Sequence, residues 1–481
     1  MSSVIRGSDN FDSAAKSGTI EATASGAISA GDPVVVNSDG TVSAISGTGR
    51  SFESSVQYSA GATYGTDIVY DTTNNKVVVC YTDGANSSRG TAVVGSVSGS
   101  SISFGTPVVF ETGSAEHISA VFDTTNSKIV IAYKDGGNSN RGTAVVGSVS
   151  GTSISFGTPV VFETGATYDT DIVHDTANNK VVIVYRDSGN SSKGTAIVGT
   201  VSGTSISFGT AVLFNDGDSR YNSVCFDSAR DQVLIHYLDL ATSQSGAVIG
   251  TVSGTSISFG SAVNFPGDSY NTCCYDPVND KFLLSSYYHE TVATVSGTTI
   301  TLGKTYDPRV ITLLDQVGTT RKTIFNPVIN KIAYFSDRYS SDFGVVESVD
   351  ISSGAPIYTE ASVYGYTTIY NSVSACYDPD TQQFIVVAPE QNNGYVGTAV
   401  VMSLEDTNLS GSNYIGISDG AYSDGETATI KIAGAVDDAQ SSLKAGLKYY
   451  VQIDGSLSAT SDIEIVEAGT AISATELIVK G

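Results

Sequence analysis

YDTTNNKVVVCY, from Tyr70 to Tyr81, sets an aromatic and an Asp ahead of a short polar turn and then an unbroken apolar run. The same phrase returns as FDTTNSKIVIAY at Phe122, HDTANNKVVIVY at His174, FDSARDQVLIHY at Phe226, YDPVNDKFLL at Tyr275, FNPVINKIAYF at Phe325 and YDPDTQQFIVV at Tyr377. Measured on its second residue (Asp71, Asp123, Asp175, Asp227, Asp276, Asn326, Asp378), the steps are 52, 52, 52, 49, 50 and 52 residues. A strand-rich period of this length is the signature of β-propeller blades.

Working outward, the first unit carries four segments of period-two hydrophobicity, TDIVYD, KVVVCY, GTAVVGSV and SISFGTPVVF, parted by TTNN, DGANSSR and SGS. That is one four-stranded antiparallel blade. The last unit keeps three such segments and loses its fourth. Fourth strands read F-x-x-x-V-x-F, as at Phe104, Val108 and Phe110, with the Phe 19 residues before the next Asp, and Phe52, Val56 and Tyr58 repeat both pattern and distance. The sequence therefore predicts an all-β chain, a seven-bladed propeller over residues 48–411 whose N-terminal strand completes the last blade and removes the open edge. Residues 1–47 and 412–481 are left as the two parts of one split β-rich domain, because GDPVVVNSDGTVSAIS at Gly31 resembles LKYYVQIDGSLSATS at Leu447, each a strand, an Asp-Gly turn and a strand.

Composition narrows the function. Five cysteines, all inside strand segments and without C-x-x-C spacing, read as buried thiols. A formal charge of -25 with no basic stripe argues against nucleic acid. No apolar run follows the single Arg at the start, so neither a signal peptide nor a membrane span is expected.

The flanks carry a resemblance. ATASGAISAGDPVVVNSDGTV, NYIGISDGAYSDGETATIKIAG and the ending AGTAISATELIVKG are similar to the β-rich anchoring modules of tailed-phage fibre, tail-tip and capsid-decoration proteins, particularly of marine phages, over about 115 residues. SVSGTSISFGTPVVFETG resembles the propeller arrays those virion proteins carry between the modules. The resemblance implies a virion surface protein made in the host cytoplasm, docked to other virion proteins through the terminal domain, homo-oligomeric and trimeric if a fibre. It implies a tail-fibre or tail-tip adhesin for a host glycan or receptor, with a capsid-decoration or head-fibre protein as the alternative and a glycan-degrading enzyme as a remote one. It supplies no catalytic residues.

Nothing in the chain spells out catalysis, a cofactor or a metal centre. The hydrolase box S-x-D-x-G-x-T-W is absent, there is no Trp, and the four His fall in different repeats without metal spacing. D-T-T-N-N-K lacks the Gly and closing Glu of a calcium loop and reads as a hairpin whose Asp accepts backbone N–H bonds. The loops D-G-x-N-S-x-R-G read as solvated turns or as a polar rim for sugar hydroxyls. Four residues before each repeat's Asp or Asn stand Asp67, Ser119, Asp171, Ser223, Thr272, Lys322 and Ser374, all polar, as expected of a central channel lined with water or holding an ion between Asp67 and Asp171.

Candidate ligand contacts come from one face. The second-to-third loops and the connections between blades share it, and there the later repeats change while the early ones remain near copies. Tyr287, Tyr288 and His289, then Arg338 and Tyr339, Tyr364 and Tyr366, and Asn392 and Tyr395 concentrate on blades five to seven, with Tyr64 before blade one. Tyr offers rigid stacking area with a polar tip, which suits carbohydrate or protein recognition.

Overall fold

The computed structural model describes residues 18–37, 39–46, 51–52, 54–307, 321–337, 344–364, 373–390, 393–403, 409, 413–452, 455–459 and 466–480. Among them the regular elements are strands, with helical geometry only in short 3-10 turns such as Gly84–Asn86. Two compact units form, residues 51–403 and residues 1–50 together with 404–481.

In the larger unit each repeat builds a four-stranded antiparallel sheet. Lys76–Asp83 lies between Val56–Asp71 and Arg89–Ser98, and Arg89–Ser98 pairs onward with Ser101–Phe104 and with the start of Val108–Asp123. That last strand is 16 residues long and serves twice. Its first half closes one sheet (Ala92↔Val108) and its second half opens the next (Ile129↔Phe122). Val160–Asp175 and Val212–Asp227 pass the chain on in the same way. The fifth and sixth sheets are separate, Thr272–Asp276 to Thr299–Tyr306 and Arg321–Asn326 to Ile357–Tyr364. Val396–Ser403, in the last sheet, pairs with Ser51–Phe52 and with the start of Val56–Asp71.

The middle strands are apolar on both faces because each sheet is covered on both sides by its neighbours. Val77, Val78 and Val79 are all fully buried. An aromatic pair recurs between sheets: Phe110 on Tyr133, Phe162 on Tyr185 and Phe214 on Tyr237, with ring centres 5.2–5.3 Å apart, and Tyr58 sits 5.3 Å from Tyr81. One glycine shows how close the sheets come. A Cβ on Gly105 would lie 1.9 Å from the Thr152 carbonyl of the next repeat, so no larger residue fits without moving that turn.

Each repeat's Asp works as the sequence predicts. Asp71 Oδ1 accepts from the Thr73 and Asn74 amides at 2.9 and 3.0 Å, and Oδ2 accepts from Asn74 Nδ2 at 2.8 Å. Asp123, Asp227, Asp276 and Asp378 repeat the two amide bonds. The turn ends on a residue in the left-handed region, Asn75 at φ 53 and Asn179 at φ 52, where Asn is tolerated better than most side chains.

The smaller unit interleaves the two ends of the chain. Its first sheet runs Thr19–Thr23, Thr427–Lys431, Tyr414–Ser418, Pro33–Val36, Val42–Ala44. The second is built from Val436–Asp437, Leu477–Val479, Glu467–Ala471, Lys448–Val451 and Leu457–Ser458. Both Asp-Gly hairpins seen in the sequence form, Val34↔Ala44 and Tyr450↔Ser458. Val35, Ile417, Tyr449, Val451 and Leu477 share one core, and Lys431 ties the sheets through Asp437 at 3.1 Å.

Candidate functional site

The segment that crosses from one sheet to the next contains a bulge, and the bulge builds the site. Pairing slips between Tyr64 and Asp67, Tyr168 and Asp171, and Arg220 and Ser223. The extra residues push the position six before each repeat's Asp into the left-handed region: Gly65 at φ 49, His117 at 48, Asp169 at 48, Tyr221 at 50 and Tyr270 at 59. Glycine occupies such a backbone freely. Bulky residues there are uncommon and cost on the order of 1–3 kcal/mol each, a strain that concentrates at functional positions.

These crossings and the second-to-third loops make a continuous rim. Tyr221 lies 5.0 Å from Tyr270, Tyr270 lies 6.1 Å from Tyr287, and Tyr287 lies 4.2 Å from Tyr288, centre to centre. Further round, the Tyr168 ring meets His117 edge-on at 5.5 Å and is flanked by Lys134 Nζ at 4.5 Å and the Arg186 guanidinium at 4.7 Å. Arg186 Nε is 3.2 Å from Asp169, Arg220 reaches Asp218 at 3.1 Å, and Lys134 reaches Glu116 at 2.7 Å.

The loop carrying Tyr287, Tyr288 and His289 is held from beneath. Arg321 donates to the Ser286 carbonyl and, at 2.8 Å, to the Tyr287 carbonyl. The Tyr288 amide donates to Asp268 at 3.2 Å, and His289 Nδ1 stands 3.9 Å from the same carboxylate. Glu290, fully buried just after the loop, accepts from Ser285 Oγ at 3.0 Å and from the Tyr358 hydroxyl, and burial pushes its carboxyl up.

The structure thus gathers Tyr287, Tyr288 and His289 with Tyr221 and Tyr270, two residues that the sequence reading passed over. Tyr64 is elsewhere on the rim, 49% exposed, and Tyr395 is beside it through the bond from the Thr63 amide to the Tyr395 carbonyl at 2.8 Å. Tyr364 ends the strand Ile357–Tyr364 opposite Gly344. Arg338, Tyr339, Tyr366 and Asn392 lie outside the described residues.

The inner girdle is a hydrogen-bonded ring segment. Asp67 accepts from Ser374 Oγ at 2.6 Å and the Ala120 amide at 2.9 Å, and Asp171 accepts from Ser119 Oγ at 3.0 Å and the Val224 amide at 2.8 Å. Each carboxylate therefore binds the backbone of the following sheet. The cation beside them is part of the chain: Lys322 Nζ stands 3.7 Å from Asp67, and the Asp67 carboxylate, with Asp171 behind it, holds the ammonium above the ordinary lysine range. Burial pushes the Asp171 carboxyl up. A cavity of about 370 Å³ opens here, lined among others by Asp171, Ser223, Phe226, Cys273, Tyr275 and Lys322.

No protein-family profile matches the chain, and no curated protein matches it. Solved structures do. The BP39L lectin from Burkholderia pseudomallei aligns at 12% identity and a TM-score of 0.53, over 73% of this chain and 98% of that one. The Dos1 propeller aligns at 12% identity and 0.45, over 80% and 89%, and the periplasmic gluconolactonase PpgL of Pseudomonas aeruginosa at 13% and 0.42, over 71% and 98%. Four-stranded sheets handed on by shared strands are propeller blades. The larger unit is a β-propeller. At these identities the likeness concerns the fold alone, so the chemistry of the rim has to be argued from its own residues.

Proposed function

We propose that the chain is a non-enzymatic adhesin of a phage virion, whose propeller rim holds a host-surface glycan and whose smaller unit docks it to other virion proteins. The observation that carries the binding role is the run of four tyrosine rings from Tyr221 through Tyr270 and Tyr287 to Tyr288, each within 6.1 Å of the next. Aromatic faces stack on the C–H faces of sugar rings, and their hydroxyls, with the ion pairs beside them, hydrogen-bond sugar hydroxyls. The phage assignment rests on the resemblance of the terminal segments. A tail-fibre or tail-tip position is the first reading and capsid decoration the second. Assembly as a homo-oligomer is supported by the shortness of the terminal segments, about 115 residues rich in Gly, Ser and Ala, whose small core gains from burial against partners, and a trimer in a fibre is what the resemblance to phage fibre proteins implies.

The propeller in this reading has seven blades, closed by the N-terminal strand. Pairing of Met402 with Phe52 and of Ala399 with Val56 supports closure. Tyr58 supports it again by taking, against Tyr81, the place that Phe110 takes against Tyr133.

The deciding experiment is gold-labelled antibody against the propeller on intact particles, together with competition of particle adsorption by the purified chain. Label at the tail tip and inhibited adsorption are expected. Label spread over the capsid selects decoration, and unlabelled particles remove the virion role altogether.

A further inference from the structure

We propose that Cys225 and Cys273 form a redox clip between two blades of the propeller, a pair of free thiols that a peroxide closes into one disulfide. The pairing follows from the register of the innermost strands. Two residues before each repeat's Asp or Asn the side chain joins the core shared with the following blade, and three residues before it the side chain joins the core shared with the preceding one. Val69 thus shares a core with Ala120, Val121 with Ile172, and Val173 with Val224. At the next junction the same two places hold Cys225 and Cys273. Cys274, one residue further on, belongs to the opposite side with Phe325, and Cys376 shares its core with Ile68. Of the five cysteines, this pair alone meets across a junction.

Local contacts hold the two thiols together. Cys273 Sγ lies 3.6 Å from Ser223 Oγ, the Cys273 amide donates to the same hydroxyl at 3.3 Å, and Cys273 also hydrogen-bonds the Cys225 thiol. A disulfide asks for close, facing side chains, which a hydrogen-bonded thiol pair on facing strands provides. The junction is also where the hydrogen-bonded frame is interrupted. Val108–Asp123, Val160–Asp175 and Val212–Asp227 each run unbroken from one sheet into the next, whereas the chain leaves the fourth sheet as Val263–Phe265 and enters the fifth as Thr272–Asp276. A disulfide there replaces the tie that a shared strand gives elsewhere.

The cavity of about 370 Å³ beside Lys322 is lined by both cysteines and has room for a peroxide. One sulfur, as its thiolate, attacks hydrogen peroxide; the O–O bond breaks, water leaves, and a sulfenic acid remains. The other sulfur then displaces that hydroxyl as a second water and the S–S bond forms, so two electrons and both thiol protons pass from the pair to the peroxide. Burial first, and the neighbouring thiol second, push the Cys225 thiol up, so thiolate is scarce and closure answers sustained exposure.

The test uses the full chain, purified in reductant and then held in hydrogen peroxide without denaturant. Intact mass, alkylation of the remaining thiols after unfolding, and peptide mapping are read together. The expected product has lost two hydrogens, keeps three of its five cysteines open to alkylation, and carries a Cys225–Cys273 link. It should melt at least about 3 °C above the reduced protein. Cys225→Val and Cys273→Ala install the residues found at the same places as Val173 and Ala120, and should fold, form no link and show no such rise. Cys274→Ser should still close. A link through Cys274, a disulfide between two chains, or sulfinic acid on unlinked cysteines would overturn the proposal. So would five thiols unchanged after prolonged exposure, or a closed pair that lowers the melting temperature.

Discussion

The two ends of a blade are built from the same backbone and treat sequence in opposite ways. At the end where the first strand turns into the second, Asp accepts two amides at 2.9–3.2 Å in repeat after repeat, and the turn hardly changes between Asp71 and Asp123. At the crossing end the corresponding positions hold Gly65, His117, Asp169, Tyr221 and Tyr270, and four of these five sit at positive φ without being glycine. The turn end is satisfied within itself by local hydrogen bonds. The crossing end leaves rings and ion pairs on a rim, where a side chain can change without dismantling the sheet.

The widest test removes what both ends depend on. Deleting residues 51–58 takes away the strand that pairs with Val396–Ser403, and the exposed edge should drive aggregation and abolish a cooperative melt. A monodisperse deletion protein with an unchanged melting curve would rule out closure by this strand.

Acid tests whether the two ends fail together. His236 is fully buried inside the second strand of its sheet, against Phe265, and burial pushes its pKa down to about 4. The native imidazole stays neutral where the unfolded one, near 6.5, takes a proton. Stability should therefore be fully present above pH 6.5 and fall by about 3 kcal/mol as pH drops toward 4. Urea midpoints between pH 7 and 4 should show this slope in the wild type and a flatter one in His236→Leu.

Asp123→Ala addresses the turn end alone. It deletes bonds to the Thr125 and Asn126 amides and to Asn126 Nδ2, in a residue 1% exposed, and should cost about 2 kcal/mol in denaturant with glycan binding unchanged. Loss of binding on this substitution would erase the division between the ends.

The smallest effect is the sharpest. Tyr221→Gly should be more stable than Tyr221→Ala by about 1 kcal/mol, reversing the usual order, because alanine keeps the strained φ of 50 and glycine relieves it. Both lose binding. If alanine proves the more stable, the left-handed rim carries no strain.

The turn end was legible in the sequence because its bonds span two or three residues, so Asp71 and Asn74 announce each other along the chain. The strands were legible for a similar reason, since period-two patterning records burial directly. The rim was only half legible. Tyr287 and Tyr288 stand out as a departure from the copied loops, but Tyr221 and Tyr270 earn their place through a bulge that shifts pairing between Arg220 and Ser223, and pairing is a property of the neighbouring strand. A trace was present all the same: Gly65 and Asp169, at the same position in other repeats, are residues that tolerate a left-handed backbone. The partner of the channel carboxylates was equally hidden, since Lys322 and Asp67 meet across more than half the chain.

The bond from the Gly397 amide to Ser59 Oγ joins residues 338 positions apart. A ribosome adding roughly 5–20 residues per second needs about 20–70 seconds to cover that distance. For all of that time the strand beginning at Val56 has been made and its partner has not, so the nascent chain carries an unpaired edge while complete sheets form behind it. Neighbouring chains on one message present the same edge in the same interval. Whatever shields the strand beginning at Val56 during synthesis should therefore raise the yield, and slowing translation should lower it.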